Sequence, residues 1–382
     1  MAHKILKYSA AILTGVLLFS LTACQNPQDI KNSQNNSEDS ENPEIRQFVA
    51  MDTSIALRIY GSDDIKSKTA DAAQDCLQKL ELELSRTQET SSVSQINQAN
   101  GKPVLLEGCL PDLLSIAKDY QALTDGAFDI TIAPVADAWG FTKDHQQVPD
   151  PEDLTAALAL VNSDAIQITS PQDQTQDGVL VRLNPGQEID LGGLAKGYAS
   201  DRLEGLLAEN QIPQAIVDLG GNIYVRGSRP DGDPWRVAIR DPQDENAAAV
   251  ILSLQDSFAI TSGGYERYFI QDGKRYHHIL DPATGYPSDS GLLSVTVVSD
   301  ANGWTEQNIT NITPGAGTMC DILSTALFVM GEARALDFWR SHDLSFDLVL
   351  ITEDNRVILT DGLADRYQIA SRESAYKYEV VS

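Results

Sequence analysis

The amino-acid sequence predicts an α+β fold, in which helices pack against a mostly antiparallel sheet. In the first half of the chain, apolar residues recur at helical spacing over long segments. From residue 215 onward they fall mainly in short apolar or alternating runs, which Gly, Pro and Asp turns divide. This change of period indicates an antiparallel sheet with helices packed against it.

Five helices are predicted from the spacing of apolar residues. In the first, Ala73, Leu77 and Leu80 recur every three or four positions and therefore share one face. The second ends at Thr124-Asp125-Gly126, a common helix-ending signal. The predicted helices are Ile65–Leu84, Leu110–Leu123, Asp153–Val161, Leu194–Glu209 and Asp321–Trp339.

The short apolar runs predict the strands. They are rich in β-branched and aromatic residues, which fit a pleated and half-buried surface. The predicted strands are Phe48–Tyr60, Ala215–Val225, Trp235–Ile239, Val250–Leu254, Phe258–Thr261, Tyr268–Ile270, Tyr276–Leu280, Leu292–Val298, Phe346–Thr352 and Val357–Thr360.

The N-terminus has the pattern of a bacterial lipoprotein signal peptide, predicted over residues 1–23. Lys4 and Lys7 precede the apolar stretch Tyr8–Leu21, and small residues lead directly to Cys24. The pattern predicts that Cys24 is lipidated and anchors the chain to the extracytoplasmic face of the bacterial cell membrane. The alternative is a simple membrane anchor with an incidental cysteine, for which the stretch is short.

Residues 24–45 are predicted to form a disordered tether. The segment contains mostly Asn, Gln, Ser, Asp and Glu, which cannot bury enough apolar surface to fold. We therefore predict that a single folded domain covers residues 46–382, with no internal linker that would divide it.

The net charge of the chain excludes one broad class of partner. It has 28 basic against 55 acidic residues, a formal net charge of −27. Binding to nucleic acid needs clustered Lys and Arg to neutralise phosphates, so we expect no nucleic-acid partner. An anionic ligand would need a metal or a locally positive site.

Three cysteines remain after Cys24. Cys76, Cys109 and Cys320 are an odd number, so no disulfide framework can be deduced from them. A Cys76–Cys109 bridge and simple core packing of all three are both open.

The segment EIDLGGLAKGYASD, residues 188–201, combines glycines, a lysine and two acidic residues. It is not a phosphate-binding loop of the G-x-x-x-x-G-K-[ST] type, because Tyr198 stands where the lysine is required. The pair Gly192-Gly193 allows close approach to a ligand, and Lys196 lies in the first turn of a predicted helix. A ligand site and tight helix–strand packing both remain open from these residues.

Two further clusters carry groups that are suited to catalysis. His277 and His278 would point to opposite faces of a strand, so one is expected at a site and the other packed. Asp281 follows in a turn and could orient His278 as a base. Asp321 and Thr325, four residues apart, share one helical face and offer hard oxygen ligands for Mg²⁺ or Ca²⁺; alternatively, Asp321 caps the helix.

Taken together and in this order, the motifs of the chain resemble those of the ApbE-type FAD:protein FMN transferases. The resemblance extends from about Ala50 to Gly331. Its motifs are M-D-T, D-G-A-F-D-x-T-x-A-P-x-x-x-x-W-G-F, D-L-G-G-L-A-K-G-Y-A-x-D, D-L-G-G-N-I, T-S-G-G-Y-E-R, H-H-I-L-D-P-x-T-G-x-P and D-I-L-S-T-A-L-F-V-M-G.

The resemblance implies an ApbE-like, T-fold-like single catalytic domain that binds FAD with Mg²⁺. Such an enzyme transfers FMN to a Ser or Thr hydroxyl of a membrane or extracytoplasmic redox protein and releases AMP. By position, the metal ligands would be the Gly193 carbonyl, Asp321 and Thr325, and His278 would lie near the reacting phosphate. The FAD-contacting positions would be Met51, Ala127, Phe128, Asp129, Asp190, Lys196 and Ile279.

The chain also departs from the family pattern. Met51-Asp52-Thr53 stands where many relatives have M-G-T, and Ser85-Arg86-Thr87-Gln88 lacks an expected aromatic residue. Residues 300–318 are predicted to form an enlarged loop. Two other functions are compatible with the sequence: an Mg²⁺-dependent FAD pyrophosphatase that gives FMN and AMP, and a non-catalytic flavin-binding lipoprotein.

Overall fold

The computed structural model describes residues 42–142, 145–171, 178–301, 314–371 and 375–382. The predicted signal peptide, Cys24, nearly all of the tether and most of the 300–318 loop lie outside these residues. The first strand begins at Glu44, two residues before the predicted start of the domain at residue 46.

Seven α-helices lie in the described residues. They are α1 (Asp63–Leu84), α2 (Ser92–Gln98), α3 (Leu110–Leu123), α4 (Ala133–Trp139), α5 (Pro151–Leu158), α6 (Ala195–Glu209) and α7 (Ala316–Ser341). All five predicted helices are present. The short helices α2 and α4 were not predicted, because neither is long enough to establish a 3.6-residue period.

The strands form one large and three small sheets. They are β1 (Glu44–Ala50), β2 (Thr53–Tyr60), β3 (Val104–Leu106), β4 (Gln167–Thr169), β5 (Val179–Arg182), β6 (Gln214–Leu219), β7 (Asn222–Arg226), β8 (Trp235–Asp241), β9 (Asp244–Leu254), β10 (Ser257–Gly263), β11 (Tyr268–Gln271), β12 (Lys274–His277), β13 (Leu292–Asp300), β14 (Asp347–Thr352), β15 (Arg356–Thr360), β16 (Tyr367–Ile369) and β17 (Lys377–Val381).

The large sheet has nine strands in the order β1-β2-β6-β7-β10-β13-β14-β15-β17. Every neighbouring pair is antiparallel except β15–β17. The small sheets are β11-β12, β16-β9-β8 and β3-β5-β4. The α+β class and the mostly antiparallel sheet are therefore confirmed.

Both faces of the large sheet are covered, and β14 shows this directly. Leu348 and Leu350 pack into the core shared with the helices, whereas Val349 and Ile351 pack into the core shared with β8 and β9. Burial of alternate residues on opposite faces explains why β14 is apolar from Leu348 to Ile351 instead of alternating with polar residues.

Two predicted strands were wrong, because each is a hairpin. Phe48–Tyr60 is divided at Met51 and Asp52, whose φ angles are 52° and 55°. Ala215–Val225 is divided at Gly220-Gly221, with φ angles of 63° and 95°. Two successive residues with positive φ form the tight turn that matches the twist of antiparallel strands. A positive φ angle is common for glycine, but neither Met nor Asp predicts it from the sequence.

Helices α6 and α7 pack backbone to backbone. A Cβ atom added to Gly197 would lie 2.3 Å from the Gly317 carbonyl oxygen and 2.6 Å from the Asp321 Cβ. A Cβ atom added to Gly317 would lie 2.7 Å from the Gly197 carbonyl oxygen. The small residues therefore allow the first turn of α6 to lie against the first turns of α7.

Two further findings concern the cysteines and membrane spans. Cys76, Cys109 and Cys320 are all free thiols, so the open Cys76–Cys109 bridge is not formed. Within the described ranges, no helix has the length and apolar character that crossing a membrane requires.

Candidate active site

The sequence clusters meet at one cleft of about 320 Å³. Its walls come from the β1–β2 turn, the end of α1, the segment before α4, the glycine-rich segment before α6, the end of β10, the segment after β12, and α7. The lining residues include Met51, Arg86, Ala127, Phe128, Asp129, Asp190, Gly193, Lys196, Arg267, His278, Ile279, Asp321 and Thr325. Of the predicted site residues in the described ranges, Asp281 alone is not in this lining.

Three oxygen-bearing positions lie together on one wall. Asp321 and Thr325 are one turn apart on α7, and both face the cleft. The position of a Cβ atom at Gly193 would be 3.4 Å from the Thr325 hydroxyl oxygen, so the Gly193 backbone lies beside this face. A carboxylate and a hydroxyl are thus available to one ligand, with the backbone of Gly193 beside them.

The Asp321 carboxylate is held in place by the start of α6. Its Oδ2 accepts a hydrogen bond from the Gly197 N–H at 2.8 Å, and the residue is only 4% exposed. Burial raises the pKa of Asp321, and the positive charge of Lys196 opposes this effect. A nearly buried carboxylate is suited to pairing with a cation.

The alternative that Asp321 merely caps α7 was wrong. The helix begins at Ala316, five residues earlier, so Asp321 lies inside it. The capping carboxylate is Asp201, which accepts hydrogen bonds from the N–H groups of Gly317 at 2.7 Å and Thr318 at 2.8 Å. The last residue of the EIDLGGLAKGYASD segment therefore positions the helix that carries the metal-ligand candidates.

The hydroxyl of Thr325 belongs to a short chain of hydroxyl groups. Ser262 on β10 lies 3.2 Å from the Thr325 hydroxyl and 2.7 Å from that of Ser324. Ser324 donates to the Asp321 carbonyl at 2.9 Å. These contacts fix the Thr325 side chain, and they give a role to the T-S-G-G motif of the sequence.

Lys196 provides positive charge at the same wall. Its Nζ donates to the side-chain oxygen of Asn222 at 3.2 Å. Asn222 is fully buried, and its side-chain amide lies close enough to Asp321 to lower the pKa of that carboxyl. Two donors, an ammonium and an amide, therefore lie next to Asp321, where an anionic ligand would need them.

Asp190 is engaged by a residue that the sequence did not single out as functional. Its Oδ1 accepts from the Gly192 N–H at 2.8 Å, and its Oδ2 lies 3.2 Å from Arg86. The same guanidinium contacts Asp137 at 3.0 Å and Glu188 at 3.5 Å, and only 11% of the Arg86 side chain is exposed. Arg86 thus fastens the end of α1 to the glycine-rich segment.

The segment before α4 contributes an apolar floor. Phe128 is 5% exposed, and its ring lies 3.0 Å from the position of a Cβ atom at Gly193. The carboxylate of Asp129 accepts hydrogen bonds from Thr131 N–H at 2.8 Å and the Ser163 hydroxyl at 2.6 Å. Asp129 therefore shapes this part of the backbone, while Phe128 presents a flat apolar surface to the cleft.

The β1–β2 turn places Met51 in the cleft lining. Asp52, which departs from the M-G-T pattern of the resemblance, adopts a φ of 55°, a conformation that glycine adopts without cost and Asp tolerates. The departure M-D-T therefore leaves the turn intact. In Ser85-Arg86-Thr87-Gln88, the segment that lacks the expected aromatic residue, Arg86 and Thr87 line the cleft.

His278 presents one ring nitrogen to the cleft. Its Nδ1 lies 3.2 Å from the Arg267 carbonyl oxygen, which can only accept, so Nδ1 carries the proton and Nε2 is unprotonated. Burial, followed by the positive charge of Arg267, lowers the pKa of His278 to about 3. The imidazole is therefore neutral at pH 7 and able to accept a proton.

The predicted orienting role of Asp281 was wrong. Its carboxylate accepts from the Ala283 N–H at 2.9 Å and from the Thr284 hydroxyl at 3.1 Å, within its own turn. The Arg267 carbonyl, and not Asp281, contacts Nδ1 of His278 and orients its ring. His277 is the packed histidine: its ring meets Phe328 edge-on at 5.5 Å, and its Nε2 lies 3.1 Å from the Ser288 carbonyl oxygen.

The donor set fits a hard cation better than a transition metal. Within the described residues there is no group of three or more His, Cys, Asp or Glu side chains that could hold a metal. One buried carboxylate, one hydroxyl and one carbonyl are ligands that Mg²⁺ accepts while it keeps water or substrate phosphate oxygens. The apolar floor and the donors around Lys196 fit a flat ring system joined to an anionic group.

Comparison with known proteins gives consistent matches. The family model described as "ApbE family" matches residues 51–349. A Klebsiella pneumoniae protein named "FAD:protein FMN transferase" is 32% identical over 86% of this chain and 95% of its own length. A Treponema pallidum protein of the same name is 31% identical over 77% of this chain and 79% of its own.

Solved structures match as well. The crystal structure of the ApbE protein from Thermotoga maritima has a TM-score of 0.74 at 28% identity, and the match covers 86% of this chain and all of that one. The flavin transferase ApbE from Vibrio cholerae has a TM-score of 0.70 at 25% identity, over 85% of this chain and 99% of that one.

Proposed function

The chain belongs to the ApbE family, and from this premise we propose that it is an Mg²⁺-dependent FAD:protein FMN transferase. It attaches FMN through a phosphoester to a Ser or Thr hydroxyl of a membrane or extracytoplasmic redox protein and releases AMP. One observation carries the proposal: the oxygen donors beside Asp321 and the neutral His278 line the same cleft. A transferase needs both an anion-holding site and a proton acceptor.

Different residues of the cleft would contact the flavin ring, the diphosphate and the metal ion. Phe128, Met51 and Ile279 offer apolar surface to the flavin ring, and Lys196 offers its charge to the diphosphate. Asp321, Thr325 and the Gly193 carbonyl would hold Mg²⁺. When bound, the ion neutralises charge that develops on the diphosphate as its P–O bond breaks.

His278 supplies the proton transfer. The acceptor hydroxyl loses its proton to Nε2 as its oxygen bonds to the phosphorus of the FMN half of FAD. The bond between that phosphorus and the bridging oxygen breaks, and AMP leaves with the oxygen. The Nδ1–H bond to the Arg267 carbonyl keeps the ring in the tautomer that leaves Nε2 free. A bound diphosphate raises the pKa of His278 from its low value, because negative charge favours the imidazolium.

A single incubation tests the function against its alternatives. The purified chain is mixed with FAD, Mg²⁺ and a candidate acceptor protein, and the products are separated. A covalently flavinylated acceptor with an equal amount of AMP supports transfer. Free FMN with AMP supports a pyrophosphatase, and unchanged FAD supports a flavin-binding protein without activity.

We also propose that the chain acts as a lipoprotein on the extracytoplasmic face of the cell membrane. The support is the sequence alone: the basic start, the apolar stretch Tyr8–Leu21 and the small residues before Cys24. Metabolic labelling with a palmitate analogue tests it. The wild type should be labelled and found in the membrane fraction, and Cys24→Ser should be unlabelled; label on Cys24→Ser would contradict the assignment.

A further inference from the structure

The β11–β12 hairpin extends from the wall of the cleft. Arg267 precedes β11 and His278 follows β12, and the His278 N–H donates to the Arg267 carbonyl at 3.1 Å. The base of the hairpin is therefore the pair of residues that carries the reacting imidazole. Residue pairs follow at about 3.4 Å intervals, so the Ile270–Arg275 pair lies about 10 Å further out.

The two faces of this hairpin differ. Phe269 and Tyr276 pack inward, with their rings 6.3 Å and 5.3 Å from that of Trp139. Tyr268 and Ile270 point outward and are 42% and 65% exposed. Two large apolar side chains thus lie side by side in solvent, next to the active site, where exposed apolar surface often marks a binding site.

The β11 edge of the hairpin is available to a further strand. Within the described residues β11 and β12 pair only with each other. The main-chain groups of Tyr268 and Ile270 on this edge have no main-chain partner outside the hairpin in that part of the chain, whereas on β12 the side chain of His277 is packed. An extended peptide can add to such an edge by main-chain hydrogen bonds.

The charge of the hairpin is opposite to that of the whole chain. Between Arg267 and His278 there are three cations and one acid, Asp272, in a chain of net charge −27. Arg275 lies over the Tyr268 ring at 4.1 Å, and neither it nor Arg267 forms an ion pair with another described residue. The surface therefore complements an acidic segment better than a basic one.

We propose that the outer face and free edge of the β11–β12 hairpin bind the acceptor polypeptide in extended form. The hydroxyl reaches His278, while an apolar and an acidic side chain about three residues away contact Ile270 and Arg275. The proposal rests on the proposed function, because a polypeptide acceptor needs a binding surface beside the cleft and water does not.

The test uses Ile270→Asp and Arg275→Glu in the full chain. The matched controls are Ile369→Asp, at a 49% exposed isoleucine on β16, and Arg236→Glu, at an exposed arginine on β8. The probes are two synthetic peptides of about 12 residues with one central Thr. Both carry Leu on each side of it; one adds Glu and the other adds Lys.

The hairpin variants should raise the KM for the Glu peptide by about tenfold or more, with kcat and FAD affinity unchanged. The controls should behave like the wild type. The Lys peptide should be a poor acceptor for the wild type and improve with Arg275→Glu, a gain that misfolding cannot produce.

Two results would overturn the docking surface alone: hairpin variants with the wild-type KM, or equal use of the two peptides by the wild type. A different result would overturn the proposed function, and the docking proposal with it. That result is a wild-type chain that binds FAD but transfers FMN to neither the peptides nor any acceptor protein.

Discussion

Substitution of Gly197 by Ala tests the packing that builds the metal site. The new Cβ would lie 2.3 Å from the Gly317 carbonyl oxygen, about 1 Å closer than a tolerated contact. The facing atom belongs to the Gly317 backbone, and the position of a Cβ atom is fixed by its own backbone, so neither can rotate away and α6 and α7 must separate. We expect a loss of about 1–3 kcal/mol in the free energy of unfolding, the usual cost of overpacking.

Gly205→Ala is the matched control. Gly205 lies in the same helix, and a Cβ there meets no atom within 4 Å. Both substitutions gain helix propensity, about 0.5–1 kcal/mol, so their difference isolates the steric cost.

The assay is urea unfolding of both variants, followed by calorimetric titration with Mg²⁺ and FAD. Gly205→Ala should match or exceed the wild type in stability and keep its affinity. Gly197→Ala should unfold at lower urea and bind Mg²⁺ more weakly, because its N–H no longer holds Asp321. Equal stability of the two variants would refute the close packing of α6 on α7.

Three further predictions concern ionisable groups. Arg86→Leu leaves three carboxylates without their shared cation. It should lower the free energy of unfolding by about 3 kcal/mol and weaken FAD binding. In urea unfolding and FAD titrations, the exposed control Arg236→Leu should change neither quantity. Burial raises the pKa of Asp201 to about 6. Between its ordinary pKa and pH 6 the folded state therefore binds a proton that the unfolded state lacks, and the free energy of unfolding falls as pH rises. In urea unfolding between pH 4 and 7, the free energy of unfolding of Asp201→Asn should depend less on pH than that of the wild type. His278→Gln should slow transfer about 10²–10⁴-fold in a single-turnover assay while FAD still binds; undiminished transfer would contradict its role as base.

Much of the fold could be predicted from the sequence, because long helices and short strands have different apolar periods. Helix α1 and helix α6 match their predicted ranges within two residues. The two hairpins mistaken for single strands could not be distinguished by period, since a two-residue turn preserves apolar runs on both sides. At Met51-Asp52 the positive φ angles arise from strand pairing, which the local sequence does not reveal.

The site was less predictable where contacts are long-range. Arg86 bonds to residues 51 to 104 positions away, so no local pattern marks its role. The orienting role predicted for Asp281 was wrong for the opposite reason, because local contacts decide it. Its carboxylate accepts hydrogen bonds from its near neighbours Ala283 and Thr284 instead of from His278. The metal-ligand assignment stays a prediction, but its residues do line one cleft: helical geometry fixes Asp321 and Thr325 relative to each other, and the family resemblance supplied Gly193.

The most direct test of the account is mass spectrometry of an acceptor protein after incubation with FAD, Mg²⁺ and either the wild type or Asp321→Asn. Asp321→Asn keeps the size of the side chain but removes the charge that a metal requires. The account predicts one FMN on a Ser or Thr of the acceptor and one AMP per modification with the wild type, and neither with Asp321→Asn. Equal flavinylation by both proteins would contradict a metal-dependent transfer at this cleft.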